Sequence, residues 1–286
     1  MTSMSFGDNN RGLQVGGNSG LIKEEIHLPP ERPETPPNPL STVPFARDRD
    51  FVSRDMLLRR IREKNSVRGS RIALVGLGGV GGRKSQLAIE YSYQIRSESP
   101  ATWVFWVDAS NEARFEESFR DIADQVKIRG RQDLKDNIFK LVENWLRDEK
   151  NGKWICILDN ADDHKFLCSL LVAREGPSAR EPPNAPTKPL LEYIPRSQHG
   201  SLIITSRSRE VALKMVKHRD LVEVNPMETS EALELLQKML DQSERSQDSQ
   251  KLVEELEFMP LAIVQAASYI RDRAPLTSVP QYLMTF

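Results

Sequence analysis

Cysteine is nearly absent. Cys156 and Cys168 are the only two in 286 residues, both sit in apolar stretches, and neither belongs to a CxxC or a Cys/His cluster. A disulfide framework and a structural zinc site are thereby excluded. No apolar run approaches the ~18–20 residues that a membrane span requires. The N-terminus, MTSMSFGDNN, lacks the apolar stretch of a secretory signal. A cytoplasmic chain without a membrane span is expected. Charge of one sign is lacking too: 40 basic against 41 acidic side chains leave a net charge of −1. That argues against bulk electrostatic capture of nucleic acid, which needs a basic excess on one face.

What is present is distributed unevenly. Thirteen of the 18 prolines crowd into two stretches. LPPERPETPPNPLSTVP follows a Gly/Asn-rich tail, and neither segment shows helical or strand periodicity. Residues 1–46 therefore read as a disordered arm, with a Pro-rich spacer over 28–45. The second cluster, REGPSAREPPNAPTKP, reads as a mobile surface insert over about residues 173–190.

Between and beyond these, strand and helix signals alternate. Short β-branched or aromatic runs occur at Arg71–Val75, Trp103–Val107, Trp154–Leu158, Leu202–Thr205 and Leu221–Val224. Their near-continuous hydrophobicity suits strands buried on both faces. Helical spacing groups Phe115, Phe119, Ile122 and Val126, then Leu134, Ile138, Leu141, Val142 and Trp145. A third stripe joins Ala232, Leu235, Leu236, Met239 and Leu240, with Thr229 and Ser230 as cap candidates. The expected fold is α/β, a parallel five-stranded sheet between helical layers. Residues 47–226 form this domain, and 227–286 a small helical subdomain.

The first strand runs into Gly76-Leu77-Gly78-Gly79-Val80-Gly81-Gly82-Arg83-Lys84-Ser85, followed by the helical stretch from Gln86 to Ile95. A glycine loop between strand and helix cradles phosphate, because inward backbone N–H groups and the helix N-terminus both favour an anion. Two motifs compete. Gly76, Gly78 and Gly81 fit the dinucleotide fingerprint, but that motif wants an acid ~20 positions on. Asp108 comes later than that. The Walker A loop wants Gly76, Gly81 and then Lys-Ser at once; Lys84 and Ser85 are there, but Gly82-Arg83 intervene. Trp154–Leu158 followed by Asp159 tips the balance towards a nucleoside di- or triphosphate, since a carboxylate at the tip of a buried strand is what holds magnesium.

Taken together, these segments resemble the P-loop signalling ATPases of the NB-ARC group, the STAND-class, NLR-type receptors, the fungal ones above all. RIALVGLGGVGGRKSQLA resembles their phosphate loop, departing from it by Gly82-Arg83. FVSRD resembles the segment whose backbone borders the adenine, VFWVDASNEARFEESFRDI the stretch after the second strand, and LDNADD the magnesium-binding tip. GSLIITSRSR resembles the sensor strand, and LEFMPLAIVQAASYI the GLPLA segment. The resemblance covers about residues 46–286 and implies a P-loop three-layer sandwich over 47–226 that binds ADP or ATP with Mg2+. It implies nucleotide contacts from Val52, Arg54, Gly76, Gly78, Gly79, Gly81, Gly82, Lys84, Ser85, Gln86, Pro260 and Leu261. Ser85 and Asp159 would hold the metal, and Arg207 would face a terminal phosphate. Pro260 would break a helical stretch and shape a wall.

Asn160 follows Asp159 where fast relatives carry a second acid. An amide positions water but accepts protons poorly, so Asp159, Asn160 and Arg207 point to slow hydrolysis and a nucleotide-held switch in signalling of the innate-immunity or cell-death type. The Gly82-Arg83 insertion is expected to displace the helix start or bulge the loop, and its deletion to tighten ADP binding. Two other readings stand beside the switch: an NTPase with true turnover, and a nucleotide-free scaffold with a disabled loop. Within residues 6–21, Asn10-x-Gly12-x-Gln14-x-Gly16-x-Asn18 is symmetric about Gln14. It resembles the pseudo-palindromic, RHIM-like amyloid motif of fungal NLR systems, which implies a homo-oligomeric or cross-β templating partner.

Overall fold

The computed structural model describes residue 35 and residues 37–76, 81–133, 136–168, 186–240 and 246–285. The chain divides into two units, Met1–Thr35 and Pro36–Phe286, and every element below belongs to the second. Its centre is a parallel sheet of five strands: β1 (Arg71–Val75), β2 (Trp103–Asp108), β3 (Trp154–Asp159), β4 (Gly200–Ser206) and β5 (Leu221–Glu223). The spatial order is β2-β3-β4-β1-β5. All five expected strands are present, because each is an apolar run that only burial on both faces can satisfy.

Alternation along the strands builds two cores. Ile72 and Leu74 of β1, Val104 and Trp106 of β2, and Ile155 and Ile157 of β3 face one side. There they pack on Leu57, Leu58 and Ile61 of α1 (Asp55–Asn65) and on Leu87, Ala88 and Tyr91 of α2 (Gly81–Glu98). Ala73, Val75, Phe105, Val107, Cys156 and Leu158 face the other. That side is covered by α3 (Glu112–Gln125), α4 (Ile138–Arg147), α5 (His164–Cys168) and α6 (Arg209–Met215). The three-layer α/β sandwich expected from the sequence is thus the fold. Phe115, Phe119 and Ile122 are buried as the α3 stripe requires. In α4, Asn137 accepts the Lys140 amide and starts the helix after Leu134, which lies outside the described residues.

The chain after β5 forms α7 (Thr229–Leu240), α8 (Gln247–Glu255), α9 (Pro260–Asp272) and α10 (Val279–Leu283), around a core of their own that also takes in Val52. Two local expectations change. Thr229 and Ser230 lie inside α7 rather than capping it; instead the Glu231 carboxylate accepts the Glu228 amide at 3.1 Å. Pro260 does not interrupt a helix but begins one, at the first position, where its missing N–H costs nothing. The turn ahead of it runs through Glu257 and Phe258 at φ of 51° and 54°. This is the left-handed region that glycine favours, so Phe258 carries backbone strain there.

The arm expected to stay unfolded through residue 46 is tied down earlier. Thr42 donates its amide to the Val104 carbonyl at 2.9 Å, and Val104 returns a bond to Leu40 at 3.1 Å. This short pairing covers the exposed edge of β2. The pairing is by backbone, which needs no hydrophobic period and so left no signal. Most of the expected insert, and the whole segment 6–21, lies outside the described residues. At the end of the insert Leu190 is fully buried, and the Lys188 ammonium bonds both oxygens of Glu143 at 2.8 Å.

Candidate functional site

Parallel register aligns the carboxyl ends of the strands. Asp108 stands opposite Asp159, Leu158 opposite Ile204, and Val75 opposite Ser206. β1 passes by way of α2 to β2 at one edge of the sheet, and β4 by way of α6 to β5 at the other. Their connections diverge between neighbouring strands, and crevices at such switch points take ligands in open α/β sheets. Gly76 closes β1 here. A Cβ on it would lie 2.7 Å from the Val224 carbonyl oxygen, so close backbone approach alone already requires glycine.

Of the loop that follows, Gly78 and Gly79 fall outside the described residues. Gly81, Gly82 and Arg83 form the first turn of α2, so the helix begins three residues ahead of Lys84. The two extra residues add ~3 Å of rise and ~200° of rotation. Lys84 and Ser85 nonetheless face the strand ends. Lys84 is 2% exposed and its Nζ donates to the Gly76 carbonyl at 3.3 Å. Burial pushes its pKa down; the nearby Asp162 and Asp159 oppose this, and Arg207 adds to it.

Ser85 Oγ donates to Asp159 Oδ1 at 2.7 Å, and Thr205 Oγ1 donates to the same oxygen at 2.6 Å. Asp159 and Thr205 are 5% and 1% exposed. Burial raises the Asp159 pKa above the usual carboxylate range, with Asp108 adding to the rise; the Thr205 and Ser85 hydrogen bonds pull the other way. A buried, partly uncompensated carboxylate beside a hydroxyl is an oxygen pair that suits a hard divalent cation which keeps several waters. Among the described residues no cluster of three His, Cys, Asp or Glu offers a closed protein cage instead.

Thr205 was not singled out by the sequence reading, although a hydroxyl ending the apolar run Leu202–Ile204 was the available signal. Asn160 exposes its side chain and takes φ of 61°, a left-handed turn that asparagine tolerates better than most residues. Its amide bonds Thr205 Oγ1 at 3.0 Å. Arg207 is engaged by Asp162 twice, amide to Oδ1 at 2.6 Å and Nε to Oδ2 at 2.6 Å.

The remaining expected positions are Val52, Arg54, Gln86 and Leu261. Val52 is buried against the helices after β5, and Leu261 is 60% exposed at the start of α9. Arg54 is 8% exposed; its guanidinium donates to the carbonyls of Asn225 at 2.8 Å and Pro226 at 3.1 Å, and its Nε lies 3.1 Å from Glu231. That Nε nonetheless makes no hydrogen bond of good geometry. Arg54 therefore fastens the segment before α1 to the exit of β5. Gln86 is half-buried in α2, one residue past Ser85.

No family model matches the chain. It is 33% identical over 239 residues to a nucleotide-binding leucine-rich repeat (NLR)-like protein of Hyaloscypha variabilis, a match covering 81% of this chain and 23% of that protein. The chain thus spans under a quarter of the length of that curated relative. Among solved structures it resembles the Walker-type ATPase PABY2304 of Pyrococcus abyssi, with TM-score 0.52 and 14% identity over 84% of this chain and 72% of that one. It also resembles the ORC2 protein of Aeropyrum pernix, solved as ADPNP and ADP complexes, with TM-score 0.50 and 13% identity over 82% and 69%. The fold is that of these ATPases, and no helix among the described residues is long and apolar enough to cross a membrane.

Proposed function

We propose that this chain is the nucleotide-binding part of an NLR-like signalling protein, a switch that holds ADP or ATP with Mg2+ and turns it over slowly. The observation that carries the reading is the convergence of Lys84, Ser85 and Asp159 at one carboxyl edge of the sheet, with Ser85 and Asp159 in direct contact at 2.7 Å. The likeness to an NLR-like protein and the ATPase fold support it.

In this reading the free N–H groups of the first turn of α2 and the Lys84 ammonium bind the outer phosphates. Lys84 already sits close enough to Asp162 and Asp159 to feel both charges. Ser85 and Asp159 hold the magnesium, which when bound would neutralise phosphate charge. Thr205 keeps the Asp159 carboxylate turned towards Ser85. Asn160 supplies no proton acceptor, so attack by water is slow. Arg207 leaves Asp162 for a terminal phosphate when ATP replaces ADP, which gives the two nucleotides different affinities for two arrangements. Residues 47–226 form the nucleotide-binding domain, and 227–286 the helical subdomain that closes on it through Pro260 and Leu261. The arm bears the symmetric segment 6–21 as a cross-β templating element.

A second reading, a scaffold that binds no nucleotide, is favoured by one observation: the Lys84 ammonium is turned onto the Gly76 carbonyl. Denaturing the purified chain and chromatographing the released small molecules separates the two. ADP or ATP approaching one equivalent supports the switch. A nucleotide-free preparation that also fails to load with added MgADP supports the scaffold.

A further inference from the structure

Two clefts, of about 760 and 620 Å3, open at the amino-terminal end of the strands, away from Lys84 and Asp159. The larger is lined by the turn between α1 and β1, the approach to β4, and the link from α6 to β5. Its charge is out of keeping with a chain of net charge −1. Lys64, Arg68, Arg71, Arg196, Lys217 and Arg219 line it, and Lys214 joins them; Glu63 and Asp220 are the only acids.

Part of this excess has an ordinary explanation. Lys64 and Lys214 occupy the last turns of α1 and α6, where a cation complements the helix dipole. Lys64 also donates to the Arg219 carbonyl, and Lys214 to His164. Arg219 lies 3.8 Å from Asp220. That leaves Arg68, Arg71, Arg196 and Lys217. None of these is in a helix, and among the described residues none forms an ion pair. Arg71 is half-buried at the start of β1 and donates to the Ile194 carbonyl. Burial first, then the charge of Arg196, pushes its pKa down to about 10. Cations gathered in a concavity, outnumbering its two carboxylates and left without an ion-pair partner among the described residues, are relieved by an anion from outside.

Shape and lining narrow the class of anion. The cations converge from three separate links into a hollow of small-molecule size, not along an open stripe that could track a polymer. No aromatic side chain lines it, so there is no platform on which a base could stack. We propose that this cleft binds a compact multivalent phosphate, either a free oligophosphate or the phosphorylated head group of a lipid.

The test uses the whole chain and inorganic tripolyphosphate, titrated calorimetrically at ~0.15 M salt to screen loose surface attraction. The phosphate loop is a competing site, so Lys84→Met is titrated beside the parent chain. So is the double variant Arg196→Glu, Lys217→Glu, both at exposed positions where folding tolerates change. The expected result is binding that survives Lys84→Met and weakens at least tenfold in the double variant, with an unchanged thermal melt. Flotation with phosphatidylcholine vesicles carrying ~5% phosphatidylinositol bisphosphate separates the sources. Capture that the double variant loses indicates the lipid head group, and tripolyphosphate binding without capture the free anion. The proposal is overturned if tripolyphosphate binding disappears in Lys84→Met, if the double variant binds as the parent does, or if the parent binds none. It is equally overturned if a polyglutamate peptide or oligo-dT of equal charge binds as tightly, which marks an unselective basic surface.

Discussion

Ser85 and Asp159, 74 residues apart in sequence, meet through a 2.7 Å hydrogen bond at the carboxyl edge of the sheet. One comes from the first turns of α2 and the other from the tip of β3, and Thr205 on β4 donates to the same carboxylate oxygen. Asp159 therefore holds a charge that burial disfavours and that no cation among the described residues offsets at bonding distance. For an acid whose folded pKa is raised, ionisation costs stability, and the cost grows as pH climbs from the unfolded value of ~4 to the folded one, above which it is constant. Asp159→Asn keeps an oxygen acceptor for both hydroxyls and removes that cost. The variant should melt at or above the parent temperature without ligand at pH 7, yet bind MgADP at least tenfold more weakly. A melt several degrees lower with unaltered MgADP affinity would mean that Asp159 is only a structural acceptor.

Glu90 tests the opposite sign. Burial pushes its carboxyl up, but the Arg47 and Gln94 hydrogen bonds and the Arg47 charge outweigh that and hold it below its ordinary range. Arg47 grips it with two bonds of 2.7 and 2.8 Å. The pair contributes stability above pH ~4.3, which is lost as pH falls through the folded value. Arg47→Ala should lower the urea midpoint at pH 7, and the difference from the parent should shrink towards zero near pH ~3. A midpoint difference that stays constant with pH would show that Arg47 acts by packing alone.

Gly200 begins β4 directly beneath Trp154, and a Cβ there would stand 2.0 Å from the indole ring. Trp154 is 2% exposed and its Nε1 donates to the Leu146 carbonyl at 2.9 Å, so the ring is not free to move aside. Gly200→Ala is expected to cost about 1–3 kcal/mol in equilibrium unfolding, the usual range for overpacking. A loss within ~0.5 kcal/mol, the scale of a surface change, would show that the ring gives way.

Arg207 is neutralised by Asp162 through its side chain and backbone together. If a terminal phosphate competes for that guanidinium, Asp162→Asn should favour ATP over ADP by about tenfold, ~1.4 kcal/mol. Parallel titrations with a non-hydrolysable ATP analogue and with ADP measure the ratio. Equal shifts for both ligands would place Arg207 outside the phosphate site.

Much of this was legible beforehand. The strands announced themselves because a doubly buried strand must be apolar along its length, and β1, β2 and β3 are, apart from Arg71, Asp108 and Asp159 at their ends. Lys84, Ser85 and Asp159 were readable because strand-then-loop and strand-then-acid place them at the same end of a parallel sheet. Thr205 was not, since a hydroxyl at a strand end looks like a turn until register sets it beside Asp159. Backbone pairing of residues 40–42 with β2 left no pattern of side chains to detect. The basic cleft was hidden for another reason: its cations lie far apart in sequence, and a net charge near zero averages them away. Pro260 was read as a break because the apolar residues on both sides share a helical spacing, whereas strained backbone at Glu257 and Phe258 separates two helices there.

The most direct measurement is a calorimetric titration of MgADP into the whole chain and into Lys84→Met. The buried ammonium costs the free protein stability, because its lowered pKa reports an environment that resists the charge. The account predicts that the parent binds one equivalent, while Lys84→Met melts no lower without ligand and binds at least a hundredfold more weakly. Equal affinity in the two proteins, or no heat from either, would contradict it.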